Sequence, residues 1–363
     1  MNEALYIGGI LLSGKHILMK NYCTALFLSI FTFAFLLSCK KDNEKIPLKD
    51  PEFYYVGYSY QQRPQDANSK RAIMSIGDSI VKLSPNNRSE AVAIHVYGDD
   101  VYTTGYQYNG DTRRVVYWKN NEIRRLGDAY PYNGGTAIFA DGSGVYVAGT
   151  VYEMIEGRTL PFQHVWVNDT FLQKSGALAF SGIFALLPYQ DTLYMAGDFG
   201  QQAQLWTDGI MRGLAGSGSG ARALNVVNGE VYVIGFEVVN RDTDAVSVWK
   251  YHRKSGRREK VFNHELGYRI VNMDAVMYGN DYYYVVNPLD GLPSVYKNNQ
   301  LLYNLAGAES VSAEAIQVYQ GKVYVVGQLL EGTTATPTLW IDGEPKTLFD
   351  ADQKIYLHDF FIK

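Results

Sequence analysis

A repeat runs through this chain from residue 52 to the end. Aligned on the residue that closes a short β-branched run, the copies are marked by Gly57, Gly105, Gly149, Gly197, Gly235, Asn287 and Gly327, spaced 38 to 52 residues apart. Three residues earlier each copy carries a tyrosine: Tyr54, Tyr102, Tyr146, Tyr194, Tyr232, Tyr284 and Tyr324. Twelve residues before the mark, six copies carry an alanine (Ala93, Ala137, Ala185, Ala223, Ala275, Ala315), always followed by an aliphatic residue. The five tryptophans, Trp118, Trp166, Trp206, Trp249 and Trp340, fall 9 to 17 residues after it, and Tyr296 takes that place in the sixth copy.

A period of ~40–50 residues belongs to propellers and solenoids, and the content of each period separates the two. Here each copy holds short runs such as Val231-Tyr-Val-Ile234 and Thr338-Leu-Trp-Ile341, bounded by Gly, Asn and Asp. Such runs are strands. Asn228-Gly229 and Asp342-Gly343 sit between runs, where two-residue hairpins need residues that tolerate positive φ. Four antiparallel strands per copy follow: A with the alanine, B with the tyrosine, C with the tryptophan, and D. The expected fold is all-β, a seven-bladed β-propeller. Alanine suits the innermost strands, which converge on the axis, and the wide rings fill the gaps between blades.

The first copy lacks a strand A. Ile355-Tyr-Leu-His-Asp-Phe-Phe-Ile362 supplies one, with Asp359 in the alanine place, so the last strand is expected to close the first blade and remove an exposed edge.

Residues 1–38 stand outside the repeat. Lys20, the apolar run 22–37 and Leu36-Leu37-Ser38-Cys39 resemble a lipoprotein signal peptide with its lipobox, and Met19 is the more natural start. Cleavage before Cys39 leaves a thiol for acylation, so the expected organisation is signal peptide 1–38, lipidated Cys39 and charged tether 39–51, and propeller 52–363. The tether Lys40-Lys41-Asp42-Asn43-Glu44-Lys45 is similar to those of surface lipoproteins of Bacteroidota type. That resemblance implies an outer-membrane, cell-surface location. The Ala…Val-Tyr-x-x-Gly…Trp-x-Asn/Asp-Gly pattern over residues 52–363 likewise resembles propeller lipoproteins of that type, a family that brings no activity to transfer.

Removing residues 1–38 takes away Lys15, Lys20 and Glu3, so 33 basic and 37 acidic side chains become 31 and 36, a net charge of −5. That balance argues against nucleic acid as partner. The propeller holds no cysteine, since Cys23 lies in the signal and Cys39 is the anchor. No motif for haem, zinc or another cofactor is present. Gly216-Ser-Gly-Ser-Gly220 matches the nucleophile elbow by letter but sits in a flexible connection. Asp242-Thr-Asp244 is too short for a calcium loop.

The A–B and C–D connections read as tight turns, whereas the B–C connections (106–114, 151–163, 236–244, 328–337) and D–A connections (127–135, 216–220, 263–272) read as long, varied loops opening on one face. Binding groups gather on such loops. Just inside that face, the residues before the strand-A alanine include Arg222, Asp274, Glu314 and His358, expected to form an arc at the channel mouth with Asp359 beside them and an Arg222–Asp274 pair among them. Asp198, Tyr106, Tyr132, Arg158 and His164 add a polar and aromatic floor.

Two functions fit. One is a binding or scaffold module that recognises a glycan, peptide or protein partner. The other is a carbohydrate-active hydrolase or lyase, which needs two carboxylates at a set separation near the channel mouth.

Overall fold

A computed structural model describes residues 50–61, 67–176, 181–332 and 334–363. The chain divides into Met1–Asp50 and Pro51–Lys363, and the second unit is the propeller. The signal, lipobox and tether therefore lie outside the described residues except for Asp50 and Pro51.

Seven four-stranded antiparallel sheets are present, each ordered A-B-C-D. In blade one, strand A is the C-terminal Ile355–Ile362, hydrogen-bonded to B (Phe53–Tyr60), then C (Lys70–Ile76) and D (Ser79–Lys82). The innermost strands of blades two to seven are Ser89–Tyr97, Gly134–Asp141, Gly182–Tyr189, Ser219–Val227, Ile270–Tyr278 and Ser310–Tyr319. All six A–B turns within these blades have two residues, several with both in the left-handed region, as at Asn228 (φ 51°) and Gly229 (φ 78°). That geometry matches the right-handed twist of the paired strands.

The core consists of clusters that cross from blade to blade. Trp118 and Trp340 are fully buried, and Trp118 packs with Tyr54, Val56 and Met74 of the preceding blade. The in-register aromatics are packing.

The repeat glycine has a specific cause. In every blade but the sixth, strand A carries a β-bulge at the residue before the alanine place: Val92, Thr136, Phe184, Arg222, Glu314 and His358. The bulge pushes a strand-A carbonyl against strand B. A Cβ on Gly235 would lie 1.9 Å from the Gly220 carbonyl oxygen, and one on Gly327 1.9 Å from that of Ser312. Only glycine fits there.

Blade six departs, and the departure corrects the sequence alignment. Its bulge has moved to the stretch between Ile270 and Asn272, so no carbonyl crowds strand B. Val286 then stands in the glycine place, paired with Met273, and Tyr283 in the tyrosine place. Tyr284 faces Tyr296 as Val233 faces Trp249. The sixth copy is therefore one residue out of the expected register, and Asp274 rather than Ala275 occupies the alanine place: Asp274 pairs with Val285 as Ala223 pairs with Ile234.

The long B–C connections are also corrected. Strands B and C of blades two, three and five continue into tight hairpins at Gly110-Asp111, Glu156-Gly157 and Arg241-Asp242, so those loops are mostly protruding ladder. Pairs such as Tyr108 with Arg113 extend the hydrogen bonding outward.

Candidate functional site

The bulge re-aims side chains, and the expected arc is pulled apart by it. Arg222 turns toward blade four: its Nη1 donates to both carboxylate oxygens of Asp198 at 3.0 Å and to the Ala221 carbonyl at 2.9 Å. Its guanidinium lies 4.3 Å from the Phe184 ring centre and 5.0 Å from that of Phe236. The pair is Arg222–Asp198, not Arg222–Asp274. Burial nonetheless dominates at Asp198, leaving it above the usual carboxylate range despite Arg222 and the Ala221 N–H. Glu314 accepts from the Ser312 hydroxyl at 2.5 Å.

His358 turns the other way, into blade two. Its Nε2 lies 2.9 Å from Glu90 Oε1, while Lys70 Nζ (2.9 Å) and the Tyr106 hydroxyl (2.5 Å) donate to Oε2. Lys70 also sits 3.8 Å above the Tyr58 ring. Burial alone would raise Glu90; the interactions of His358, the charge of Lys70 and the hydrogen bond from Tyr106 overcome it and hold the carboxyl at about 2. Glu90 and Lys70 were not expected from the sequence: Glu90 falls on no repeat position that carries a charge elsewhere, and Lys70, which stands where blade two has Arg113, is paired with Glu90 only across the blade seam.

Next to this cluster, the upper connections of blades one and two frame a hollow of about 490 Å³ with Asn86, Asn87, Arg88, Tyr108 and Tyr132 on its walls. Tyr132 is 60% exposed. Arg88 stacks 3.9 Å from the Tyr108 ring centre and Arg113 4.3 Å from that of Tyr106, while Arg113 Nη2 donates to the Tyr132 carbonyl at 2.7 Å. Among the described residues neither arginine has a carboxylate within ion-pair distance. His164 is remote from this group, on the outer part of blade three, 2.9 Å from a Glu153 that also holds Lys174. Arg158 is exposed at the tip of the blade-three hairpin.

The two aspartates in alanine places share one arrangement. Asp359 Oδ2 accepts the Ile94 N–H of blade two at 3.0 Å and Oδ1 accepts the Phe360 N–H at 2.8 Å. Asp274 Oδ2 accepts the Ile316 N–H of blade seven at 2.9 Å, and the Ala275 N–H also bonds its carboxylate. Each carboxylate thus ties its blade to the next. Enclosure by protein raises both, Asp274 to about 6 and Asp359 to about 7, and the charge on Asp274 adds to the shift at Asp359. Asp244, of the short acidic motif, is buried, accepts the Ile270 N–H at 2.8 Å and faces Arg269 Nε at 2.8 Å, so it fixes a connection.

The fold and these residues define the class: a seven-bladed β-propeller closed by its C-terminal strand. No protein-family model matches the chain, and the comparison with curated proteins gives no match. Solved structures that it resembles include an acylaminoacyl peptidase of Pyrococcus horikoshii, 12% identical with a TM-score of 0.47 over 82% of this chain and 50% of that one. The β-propeller domain of the Trilobed protease from Pyrococcus furiosus is 14% identical, TM-score 0.43, over 71% and 83%. BamB from Moraxella catarrhalis is 17% identical, TM-score 0.39, over 70% and 73%. This chain spans half the length of the peptidase. These likenesses concern fold.

Proposed function

We propose that this propeller is a lipid-anchored binding module of the cell surface that takes an oligosaccharide on the face bearing the B–C hairpins, at the seam of blades one to three. The observation that carries this reading is the hollow beside Tyr132, where an exposed ring, three asparagines, Asp111 and a stacked arginine converge. Rings held on a rigid scaffold stack on sugar faces at low entropic cost, while amides and guanidinium groups read hydroxyls and carboxylates. Arg88 and Arg113 are pinned on Tyr108 and Tyr106, so little side-chain freedom is left to lose on binding. The anchor rests on the lipobox ending in Cys39, with residues 1–38 as export signal and the outer membrane as location.

The alternative, a carbohydrate-active hydrolase or lyase, draws on the raised carboxyls of Asp274 and Asp359, which lie in the range a general acid needs. Binding is the better reading because each of these carboxylates accepts two backbone N–H groups in a blade-tying role, and neither lines the hollow beside Tyr132.

The test is calorimetric titration of the Cys39→Ser protein with neutral and uronate-containing oligosaccharides, beside Tyr132→Ala. Binding that falls about tenfold or more in the variant, with an unchanged melting temperature, supports the reading. Binding untouched by Tyr132→Ala, or none to any sugar, overturns it.

A further inference from the structure

The channel holds a cavity of about 440 Å³ to which all seven innermost strands contribute. Its walls are unlike. On one side the rings of Phe361, His95 and Phe139, from blades one, two and three, form a continuous surface: His95 lies 4.3 Å from Phe139 and 5.3 Å from Phe361, centre to centre. Across from them stands Asn225, while the Gln317 amide is spent on blade one, donating to the Phe360 carbonyl and accepting the Ile362 N–H. Asp359 also lines the cavity, where Ala93, Ala137, Ala185, Ala223 and Ala315 hold the same place in other blades.

We propose that this cavity binds a small organic ammonium ion, its cationic head against the Asp359 carboxylate and its apolar body against the rings of His95, Phe139 and Phe361. The volume falls within the ~300–1,000 Å³ of small-molecule sites, and the lining has their usual character, mostly apolar with a few converging polar groups. Aromatic faces and a carboxylate together select a cation over an anion or a neutral molecule. Among the described residues no lysine or arginine competes for the Asp359 carboxylate. Arg222 is spent on Asp198, Lys70 and His358 are engaged with Glu90, and among the described residues no lysine or arginine lines the cavity. His95 is pushed down to about 4 by burial, so its ring is uncharged at neutral pH and does not repel a cation. Asn225 accepts the Met277 N–H through Oδ1 at 3.3 Å, leaving its NH2 group for a polar substituent of the ligand.

Binding is coupled to a proton. The charged and titratable groups around Asp359 are Asp274 on blade six, His358 on its own strand and His95 on blade two; Glu314 on blade seven is turned to Ser312. Asp359 stands near 7, so an ammonium ion binds the ionised form and displaces the proton.

The experiment is calorimetric titration of the full chain with benzylammonium and with its neutral counterpart benzyl alcohol, at about pH 8 and about pH 6. Benzylammonium is expected to bind, at least about tenfold more tightly than the alcohol, and about tenfold more weakly at the lower pH, as the ionised fraction of Asp359 falls. Asp359→Asn is expected to abolish the preference for the cation. Where that variant fails to fold, Asp274→Asn serves: it removes the charge that raises Asp359, so binding persists and its pH midpoint moves down. Tyr132→Ala leaves cation binding unchanged, so failure of this proposal and failure of the oligosaccharide reading are distinguishable. No binding of benzylammonium at about pH 8, equal binding of the alcohol, or an unmoved midpoint in Asp274→Asn overturns the proposal.

Discussion

Glu90 and Asp359 lie on the innermost strands of adjacent blades, both largely enclosed by protein, yet their protons are held in opposite directions, at about 2 and about 7. Burial raises both. The difference is in the partners. Glu90 faces the Lys70 ammonium, the His358 ring and a phenol hydroxyl, which stabilise charge; Asp359 faces two backbone N–H groups and a second carboxylate. Desolvation therefore decides at Asp359 and is overridden at Glu90. A carboxylate bound by its own cations is locked into the structure, whereas one left near neutrality in a cavity can still exchange a proton or meet a ligand.

The most drastic way to break this comparison is to remove the strand that carries His358 and Asp359. Deleting residues 354–363 leaves the first blade without its strand A and exposes the backbone edge of Phe53–Tyr60. Loss of cooperative folding is expected, seen as a missing calorimetric transition; a truncated protein with a near-normal melting temperature would show that the ring does not depend on this closure. A smaller effect is expected from Glu90→Ala, which leaves Lys70 without its counter-ion and the His358 ring without its hydrogen-bond partner and should cost about 3 kcal/mol at neutral pH. The sign follows from the depressed acid: its stabilisation is present above the unfolded value near 4.5 and is lost as pH falls toward 2. Denaturant melts of the two proteins should therefore converge in acid, and a difference that stayed constant would remove charge from the explanation.

The fold was legible from the sequence because a propeller repeats its packing solution. A tyrosine and a tryptophan recur because every blade must fill the same gap, and a glycine recurs because the same bulge presses a carbonyl onto strand B. Blade six was misread for the same reason. Where the bulge moves, the glycine is no longer required, and Asn287 beside Val286 became a false anchor. That one-residue slip hid Asp274's place as the counterpart of Asp359, although both residues were singled out. The candidate site was less legible. Arg222 and His358 were visible as charges before an alanine place, but a bulge sets where they point, and their partners Asp198 and Glu90 come from adjacent blades. Cross-blade pairs leave no spacing signature, so the pairing of Glu90 with Lys70 and His358 had none to find.

The finest test of the comparison reads the Asp359 proton through stability. The folded value near 7 lies above the ordinary 3.8, so the native state binds the proton more tightly than the unfolded chain over the interval between them. Stability is then highest below about 4 and declines as pH rises through 7, the reverse of Glu90. Across about pH 6 to pH 8 a single group of this kind removes about 1.4 kcal/mol. Asp359→Asn should lower stability by an amount set by one lost N–H acceptor and should flatten that decline. The remaining slope should sit lower, at the value near 6 that burial gives Asp274. A decline through pH 7 that persisted in Asp359→Asn would assign the raised proton to another group and would leave the two carboxylates differing in location alone.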